Sequence, residues 1–265
     1  MAAPRRSSAR SGEGSAAAPP VLPAPHPPPK KRFLVLDLNG VLVQCVHCPR
    51  TPTVPFCKPE DANYDGPPTF IKSKLVHLRP WLRTFLEIVQ QRWWVVVWSS
   101  MKAENTNAVV EFIFKGIEPP CLTLAQEACR ILYTPDGKVV KKPNNPASPQ
   151  YLKVLKPIFW DQRPSLIGVP YDVRPTRENT LMVDDSAAKN MLNLTANFIV
   201  CPTWTVEKVR DRFLLDLSKY LQALWGSGLP VNNFVRNNPI GERYLDPRDH
   251  LYRELLSHAK FNKLI

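Results

Sequence analysis

The sequence lacks an apolar run long enough to cross a membrane. Its longest apolar stretches, such as residues 93–98, are far shorter than the roughly 20 residues that a membrane-spanning helix needs. It also lacks the apolar core of a secretory signal peptide, and its six cysteines are scattered along the chain (Cys45, Cys48, Cys57, Cys121, Cys129 and Cys201). These absences argue against a disulfide framework. We expect a soluble protein in a reducing compartment, with no integral membrane segment.

Basic and aromatic residues are not interleaved in a stripe, which is the pattern expected of a nucleic-acid-binding face. The net charge is +12, but residues 1–32 hold six Lys/Arg and one acid. The rest of the chain therefore has 29 Lys/Arg against 22 Asp/Glu, a net charge of +7. This part is only mildly basic, so we expect no nucleic-acid partner.

Residues 1–32 are rich in Pro, Ala and Ser and nearly free of large apolar side chains, so they cannot form a core. We expect a disordered tail over residues 1–32, one α/β domain over residues 33–225 and a C-terminal helical extension over residues 226–265. The composition of this tail is compatible with more than one cellular compartment. The nucleus or cytoplasm is favoured, while an Arg/Ser/Ala-rich, acid-poor tail also suits import into a mitochondrion or chloroplast.

An apolar run at residues 33–36 predicts a fully buried parallel strand that leads into Asp37 and Gly40. The carboxyl ends of strands in open α/β sheets hold the ligand crevice, and glycine permits a tight turn that directs backbone N–H groups towards an anion. Asp37 alone is weak evidence, because many buried strands end in an aspartate that caps a turn.

Polar residues follow two further apolar runs. The β-branched and aromatic residues 93–98 predict a strand that ends at Ser99, and a later run leads into Asp184 and Asp185. The carboxyl ends of parallel strands meet at one edge of a sheet, so we expect these side chains to face Asp37. Three acids at that edge make an oxygen-rich site suited to Mg²⁺.

Four short segments at these predicted strand ends and at one helix start carry a family resemblance. They are Leu36-Asp37-Leu38-Asn39-Gly40-Val41-Leu42, Arg79-Pro80, Val97-Trp98-Ser99-Ser100 and Val183-Asp184-Asp185-Ser186. In type and order they resemble the motifs of the RNA polymerase II C-terminal-domain phosphatase-like family, also called the nuclear-LIM-interactor-interacting factor-like family, of the haloacid dehalogenase superfamily. The resemblance covers residues 33–225. It implies an α/β fold with a Rossmann-like parallel sheet flanked by helices, a small flap insertion and no large cap domain.

The resemblance also implies roles for individual residues. Asp37 would be the nucleophile that forms an aspartyl-phosphate, and the Ser99 hydroxyl would bind the phosphoryl group. Asp37, Asp184 and Asp185 would bind Mg²⁺, together with the backbone carbonyl of Asn39. This set answers a chemical need, because an attacking carboxylate and a phosphate dianion repel each other unless cations and hydrogen-bond donors surround them.

A phosphate-site lysine is implied as well. Lys153 fits the family spacing better than Lys156, and both remain candidates. For either lysine, the alternative interpretation is an exposed helix position with no role in chemistry.

Asn39 departs from the family pattern. Active members resemble one another in carrying a second aspartate two residues after the nucleophile, which protonates the leaving oxygen and then deprotonates the hydrolytic water. An amide can do neither, so we expect slow hydrolysis or none. General acid–base help is commonly worth about 10²–10⁴-fold.

Residues 44–78 are rich in Pro, Asp, Asn and Gly and are predicted to form a flap beside the site. An open cleft of this kind suits a phosphorylated protein segment as the partner. Within the flap, Cys45, Cys48 and Cys57 might suggest zinc, but no second pair of ligands follows at the usual spacing. We interpret these cysteines as a coincidence.

Helices are predicted on both sides of the second strand. Pro80 suits the first turn of a helix that runs through Gln91, and Ser100 is expected to cap a helix over residues 103–114. Each helix would cover part of the sheet.

The C-terminal part contains two further helical patterns. Apolar residues recur at helical spacing over residues 213–224, before Gly226. In the extension, Asp246 is expected to cap a helix with Pro247 in its first turn. That helix could dock on the domain or on a protein partner.

Three functions fit these features. The first is a Mg²⁺-dependent phosphoserine/threonine phosphatase acting through Asp37 with reduced turnover. The second is a catalytically inactive protein that binds phosphorylated segments or acts as a scaffold. The third is a subunit resembling the receptor of the mitochondrial presequence translocase, which belongs to the same family and works by binding. Asn39 separates the first two only in part.

Overall fold

The structure is a computed structural model that describes residues 31–47, 66–143, 145–162 and 164–265. The strands are β1 (Arg32–Leu36), β2 (Val43–His47), β3 (Thr69–Ile71), β4 (Lys74–Leu78), β5 (Trp93–Trp98), β6 (Leu122–Leu124), β7 (Arg130–Ile131), β8 (Lys141–Lys142), β9 (Asn145–Pro149), β10 (Tyr151–Leu152), β11 (Thr180–Asp184) and β12 (Phe198–Val200). The α-helices are α1 (Leu82–Gln90), α2 (Ala103–Ile113), α3 (Phe213–Gly226), α4 (Val231–Asn237) and α5 (His250–Phe261). Short 3₁₀ turns lie at Gln126–Ala128 and Thr195–Asn197, and a π-helical turn at Lys156–Trp160.

The central sheet has five parallel strands in the order β12-β11-β1-β5-β6. β1 is the middle strand, and Leu36 near its end is in register with Val97 of β5 and Val183 of β11. Every residue of β1 and β11 is buried, as expected of apolar strands covered on both faces. The predicted Rossmann-like parallel sheet flanked by helices is confirmed.

Helices α1 to α4 pack on one face of this sheet and contribute to one apolar cluster with it. In α1 the buried residues recur at helical spacing (Leu82, Phe85, Leu86 and Val89), so a single stripe faces the sheet. The opposite face is covered by Tyr151 and by the π-helical turn, whose Phe159 packs edge-on against Phe33 at 5.6 Å between ring centroids.

A second, antiparallel sheet has the order β2-β4-β3 and lies between the first strand and the first helix of the chain. We call these three strands the flap sheet. Residues 48–65, which connect β2 towards β3, lie outside the described residues. In the described part of the chain the insertion is this small sheet rather than a large cap domain, as predicted.

Two predicted element starts and one predicted helix cap were wrong by one or two residues. The N-cap of α2 is Lys102 and not Ser100, because the helix starts at Ala103. Helix α1 starts at Leu82, which leaves Pro80 before its first turn. β1 starts at Arg32, one residue earlier than predicted.

The C-terminal helix starts later than its sequence pattern predicted. Asp249 is the N-cap of α5, while Asp246 accepts the Asp249 N–H at its backbone oxygen in a preceding turn. Helix α4 was not predicted. No helix in the described ranges combines the length and apolar character needed to cross a membrane.

Helix α5 docks on the chain itself. Leu255 and Ala259 are buried in a cluster with Leu132, Val140 and Leu152. Since Leu152 directly precedes Lys153, α5 supports the segment that carries this lysine.

Candidate active site

Asp37 lies at the carboxyl end of β1, in the middle of the sheet edge. Its side chain is 2% exposed, and its backbone N–H donates to Val183 O at 3.0 Å. The Leu38 N–H donates to Asp37 Oδ1 at 2.7 Å, which fixes the carboxylate in the turn after the strand. The predicted nucleophile therefore lies where ligands bind in open α/β sheets.

Asp184 is the last residue of β11, the neighbour of β1, and Asp185 follows it. Asp184 is fully buried and its Oδ1 accepts the Ser186 N–H at 2.8 Å, while Asp185 Oδ2 accepts the Thr203 hydroxyl at 3.1 Å. Each of these two residues and Asp37 offers a carboxylate oxygen, and the three oxygens lie within 4.8 Å of one another. A cluster of carboxylate oxygens at this spacing fits a hard cation such as Mg²⁺.

Gly40 makes room for this cluster. Its φ is +86°, a conformation that glycine adopts without strain. A Cβ built on Gly40 would overlap Asp185 Oδ2. The turn after β1 can therefore approach Asp185 this closely only because residue 40 has no side chain.

Lys153 is the lysine that the structure places in the site. Its Nζ lies 3.1 Å from Asp37 Oδ1 and 2.6 Å from Asp184 Oδ2, and it also donates to Trp98 O at 2.6 Å. Its side chain is fully buried. Lys156 instead has an exposed side chain and pairs with Asp161 at 2.8 Å. The alternative interpretation as an exposed helix position thus holds for Lys156 alone.

A second lysine in the site, Lys189, was missed by the sequence analysis. Its Nζ lies 3.1 Å from Asp37 Oδ2, and 3.9 Å from both Asp184 Oδ1 and Asp185 Oδ1. The sequence signal for it was its spacing, four residues after Asp185, at which a lysine and an aspartate can pair. It belongs to a loop without apolar periodicity, so no pattern pointed to it.

The charges gathered in the site shift the pKa values of Asp184, Asp185 and Lys189. Burial by itself raises the pKa of Asp184, but the charges of Lys153 and Lys189 outweigh burial and hold its pKa well below the ordinary value. Burial, with the charges of Asp184 and Asp37, raises the pKa of Asp185 to about 6 against the opposing charge of Lys189. Burial lowers the pKa of Lys189, yet the three carboxylates raise it above the ordinary value. At neutral pH Asp184 and Asp185 are therefore carboxylates, and Lys189 is an ammonium group.

Ser99 lies just beyond the end of β5, beside β1 in the sheet. It is 1% exposed, and its Oγ accepts the Met101 N–H at 3.2 Å. Its backbone N–H donates to Leu124 O at 2.9 Å, so the residue is held from both sides. The preceding carbonyl, Trp98 O, is the one that Lys153 contacts.

Asn39 is exposed, unlike the residues around it. Its side-chain Oδ1 accepts the backbone N–H of Cys45 at 2.7 Å, which connects the turn after β1 to the flap sheet. The side chain is therefore directed towards the flap, at the open side of the site.

Arg79, from the Arg79-Pro80 motif, holds the loops of the site together. Its side chain is fully buried and forms two hydrogen bonds with Asp211, at 2.8 and 2.9 Å. It also donates to Val41 O at 3.1 Å and to Pro202 O at 3.2 Å. Arg79 thus connects the turn after β1 to the loop that carries Thr203, the partner of Asp185.

The described cysteines are free thiols (Cys45, Cys121, Cys129 and Cys201). Burial raises the pKa of Cys45 and of Cys129 to about 11, so these thiols are protonated at neutral pH. Cys48 and Cys57 lie outside the described residues, and the interpretation of the flap cysteines as a coincidence stays a prediction.

Comparison with known proteins gives one family match. A family model described as NLI interacting factor-like phosphatase matches residues 32–229. Among curated proteins, none matches the chain.

Two solved structures of RNA polymerase II CTD phosphatases are similar at 14% identity. One is the fission yeast Fcp1 bound to beryllium fluoride, with a TM-score of 0.37, and the other is described as Fcp1, an essential RNA polymerase II CTD phosphatase, with a TM-score of 0.38. Each match covers 88% of this chain and 64% of the other, so this chain spans less than two thirds of their length.

Proposed function

The chain belongs to the NLI interacting factor-like phosphatase family, and we propose that it is a Mg²⁺-dependent phosphoprotein phosphatase that acts through an aspartyl-phosphate on Asp37. The observation that carries this proposal is the placement of Asp37 at the centre of the sheet edge, within 3.1 Å of two lysine ammonium groups. A carboxylate held among cations at this edge can approach a phosphate dianion without prohibitive repulsion.

The first step assigned to Asp37 is attack on the phosphorus of a phosphorylated side chain. One carboxylate oxygen forms a bond to phosphorus while the bond to the serine or threonine oxygen breaks. Lys153 is locked by Asp184 and Trp98 O, so it can stabilise charge without rearranging. Asp184 and Asp185, with Asp37 and the backbone carbonyl of Asn39, would hold Mg²⁺, which when bound supplies positive charge against the phosphoryl oxygens.

Ser99 is proposed to bind the transferred phosphoryl group. Its Oγ accepts from Met101 N–H, which leaves the hydroxyl hydrogen available to donate. The backbone N–H groups of the turn after β1 (Leu38, Gly40, Val41, Leu42 and Val43) already donate to acceptors within the protein. The Ser99 hydroxyl and the Lys153 ammonium group would therefore be the donors to the equatorial oxygens during transfer.

Proton transfer to the leaving group is the step for which this chain lacks a carboxyl group at position 39. A serine alkoxide needs a proton as it departs, and the later hydrolytic water must lose one. Asn39 occupies the position for this exchange and has no acidic proton to give. We therefore assign the chain slow turnover, with a loss of about 10²–10⁴-fold compared with a carboxyl group at this position.

A phosphorylated protein segment is the proposed substrate. The side of the site near Asn39 is bordered by the flap sheet, and the described part of the chain has no large domain that would enclose a small metabolite. Such an open site suits an extended segment whose phosphate enters the crevice.

Asn39 also supports a second function, the binding of phosphorylated segments without hydrolysis. Every group assigned to phosphoryl binding is present, and only the proton-transfer group is replaced. The two functions differ in turnover alone, so one assay separates them.

The test is release of phosphate from a phosphoserine peptide by the purified protein, with and without Mg²⁺, beside Asp37→Asn. Slow release that needs both Mg²⁺ and Asp37 supports the enzyme. Binding of the peptide without release supports the binding protein. Neither binding nor release would contradict both.

A further inference from the structure

Lys189 reaches every carboxylate that is suited to Mg²⁺. Its ammonium group lies 3.1 Å from Asp37 Oδ2 and 3.9 Å from an oxygen of Asp184 and of Asp185. Its side chain is 11% exposed. An ammonium group in this position satisfies the same oxygens that a divalent cation would bind.

The charge of the site shows why this matters. Three ionised carboxylates and Lys153 would leave a net charge of −2, which one Mg²⁺ neutralises. Lys189 reduces this to −1, so the metal-free site is already largely balanced. Charges a few ångströms apart in a buried site interact strongly, and one added cation therefore weakens the attraction for another.

We propose that Lys189 is a built-in counter-ion that stabilises the metal-free carboxylates, competes with Mg²⁺ for them, and moves to the phosphoryl oxygens when metal and phosphate are bound. This proposal rests on the Mg²⁺ site of the proposed function. In this role Lys189 lowers the affinity for Mg²⁺ and raises the affinity for phosphate.

The contacts of the two lysines show which one can move. Lys153 Nζ has three short contacts and is fully buried. Among the described residues, Lys189 Nζ has one hydrogen bond, to Asp37, and two longer contacts. The Lys189 backbone is fixed, since its carbonyl accepts the Lys153 N–H at 2.8 Å. The ammonium group can therefore leave the carboxylates by rotation of its own side chain.

The variant Lys189→Met removes the charge and keeps most of the apolar stem. By calorimetry it should bind Mg²⁺ about tenfold more tightly than wild type, since a competing cation a few ångströms away is removed. Without divalent metal it should unfold at a lower temperature than wild type, and Mg²⁺ should restore much of that loss. Lys156→Met, which removes an exposed ion pair, should match wild type in both measurements.

Inorganic phosphate gives the second readout. With Mg²⁺ saturating, Lys189→Met should bind phosphate more weakly, because one donor to the anion is lost. The expected result for Lys189→Met is tighter binding of Mg²⁺ together with weaker binding of phosphate. General damage to the site would weaken the binding of both. Equal or weaker Mg²⁺ binding by a folded Lys189→Met protein overturns the proposal while the Mg²⁺ site stands. If neither wild type nor variant binds Mg²⁺, the proposed function itself fails and this inference fails with it.

A charge-matched variant covers the case in which Lys189→Met does not fold. Lys189→Met/Asp185→Asn has two carboxylates and one lysine, which restores the net charge of −1. Without metal it should fold and unfold near the wild-type temperature. A double variant that is no more stable than Lys189→Met overturns the proposal, because charge balance would then not explain the role of Lys189.

Discussion

Asn39 accepts the backbone N–H of Cys45 at its side-chain oxygen, at 2.7 Å. Asn39, which under the proposed function stands in place of an acid–base carboxyl group, therefore connects the turn after β1 to the flap sheet. A carboxylate oxygen would accept the same N–H in the same position. The structural task and the catalytic task of this position can thus be separated by a nearly isosteric substitution.

We expect Asn39→Asp to keep the fold and to hydrolyse phosphate esters faster than wild type. The gain should be about 10²-fold, the usual size of an acid–base contribution. A phosphoserine peptide should gain more than p-nitrophenyl phosphate, because a serine alkoxide needs a proton and a nitrophenolate needs little. A folded, Mg²⁺-binding Asn39→Asp protein without gain on either substrate would favour the binding protein.

Gly40 and Gly137 form a matched pair for testing the turn. Both have positive φ, at +86° and +80°, but nothing lies within 4 Å of a Cβ at Gly137. Alanine at either position should lower the free energy of unfolding by about 1–3 kcal/mol through backbone strain. Only Gly40→Ala should also lose Mg²⁺ affinity in calorimetry, since its Cβ displaces Asp185. Equal Mg²⁺ affinity in both variants would exclude Asp185 as a metal ligand.

Arg79 should be a large contributor to stability. Arg79→Met leaves Asp211 without its buried partner, and breaking a buried pair costs about 3–5 kcal/mol of the free energy of unfolding. Arg83→Met is the control, because Arg83 is exposed and donates to Lys115 O at the surface, so its effect should stay within about 0.5 kcal/mol. Chemical denaturation measures both. A small effect at Arg79 would show that the loops of the site are held by other contacts.

The boundary of the N-terminal tail can be tested by two deletions. The predicted disordered tail, residues 1–32, included Lys31 and Arg32, but Lys31 Nζ donates to Gln90 O at 2.7 Å and Arg32 Nη1 donates to Leu224 O at 3.1 Å. Deletion of residues 1–30 should leave the unfolding temperature nearly unchanged, and deletion of residues 1–32 should lower it. A large decrease with the shorter deletion would show that the tail contributes to the fold.

The parallel sheet and the acids at its edge were predictable because they depend on local patterns. Apolar runs of strand length lead directly into Asp37 and Asp184, and parallel strands bring such ends together. The choice of Lys153 over Lys156 followed from family spacing. In the structure Lys153 is buried against the acids, whereas Lys156 is exposed.

Other features could not be read from the sequence. The pairing of Arg79 with Asp211 joins residues 132 positions apart, and no local pattern specifies such a contact. In the sequence nothing distinguishes Lys189 from an exposed surface lysine. Its contact with Asp37 forms only because the loop after β11 lies against the end of β1. The prediction of Ser100 as a cap was wrong because α2 starts at Ala103, which makes Lys102 the N-cap, and a cap depends on geometry that composition does not show.

The central claim, that Asp37 accepts a phosphoryl group, is tested most directly by pre-steady-state kinetics with p-nitrophenyl phosphate. Nitrophenolate leaves without a proton, so phosphorylation of Asp37 can proceed, while Asn39 cannot activate the water for hydrolysis. With Mg²⁺, wild type should release a burst of about one nitrophenolate per protein and then turn over slowly, with phosphate on Asp37 by mass spectrometry. Asp37→Asn should show no burst. A folded, Mg²⁺-binding wild-type protein with neither a burst nor phosphate on Asp37 would contradict the account.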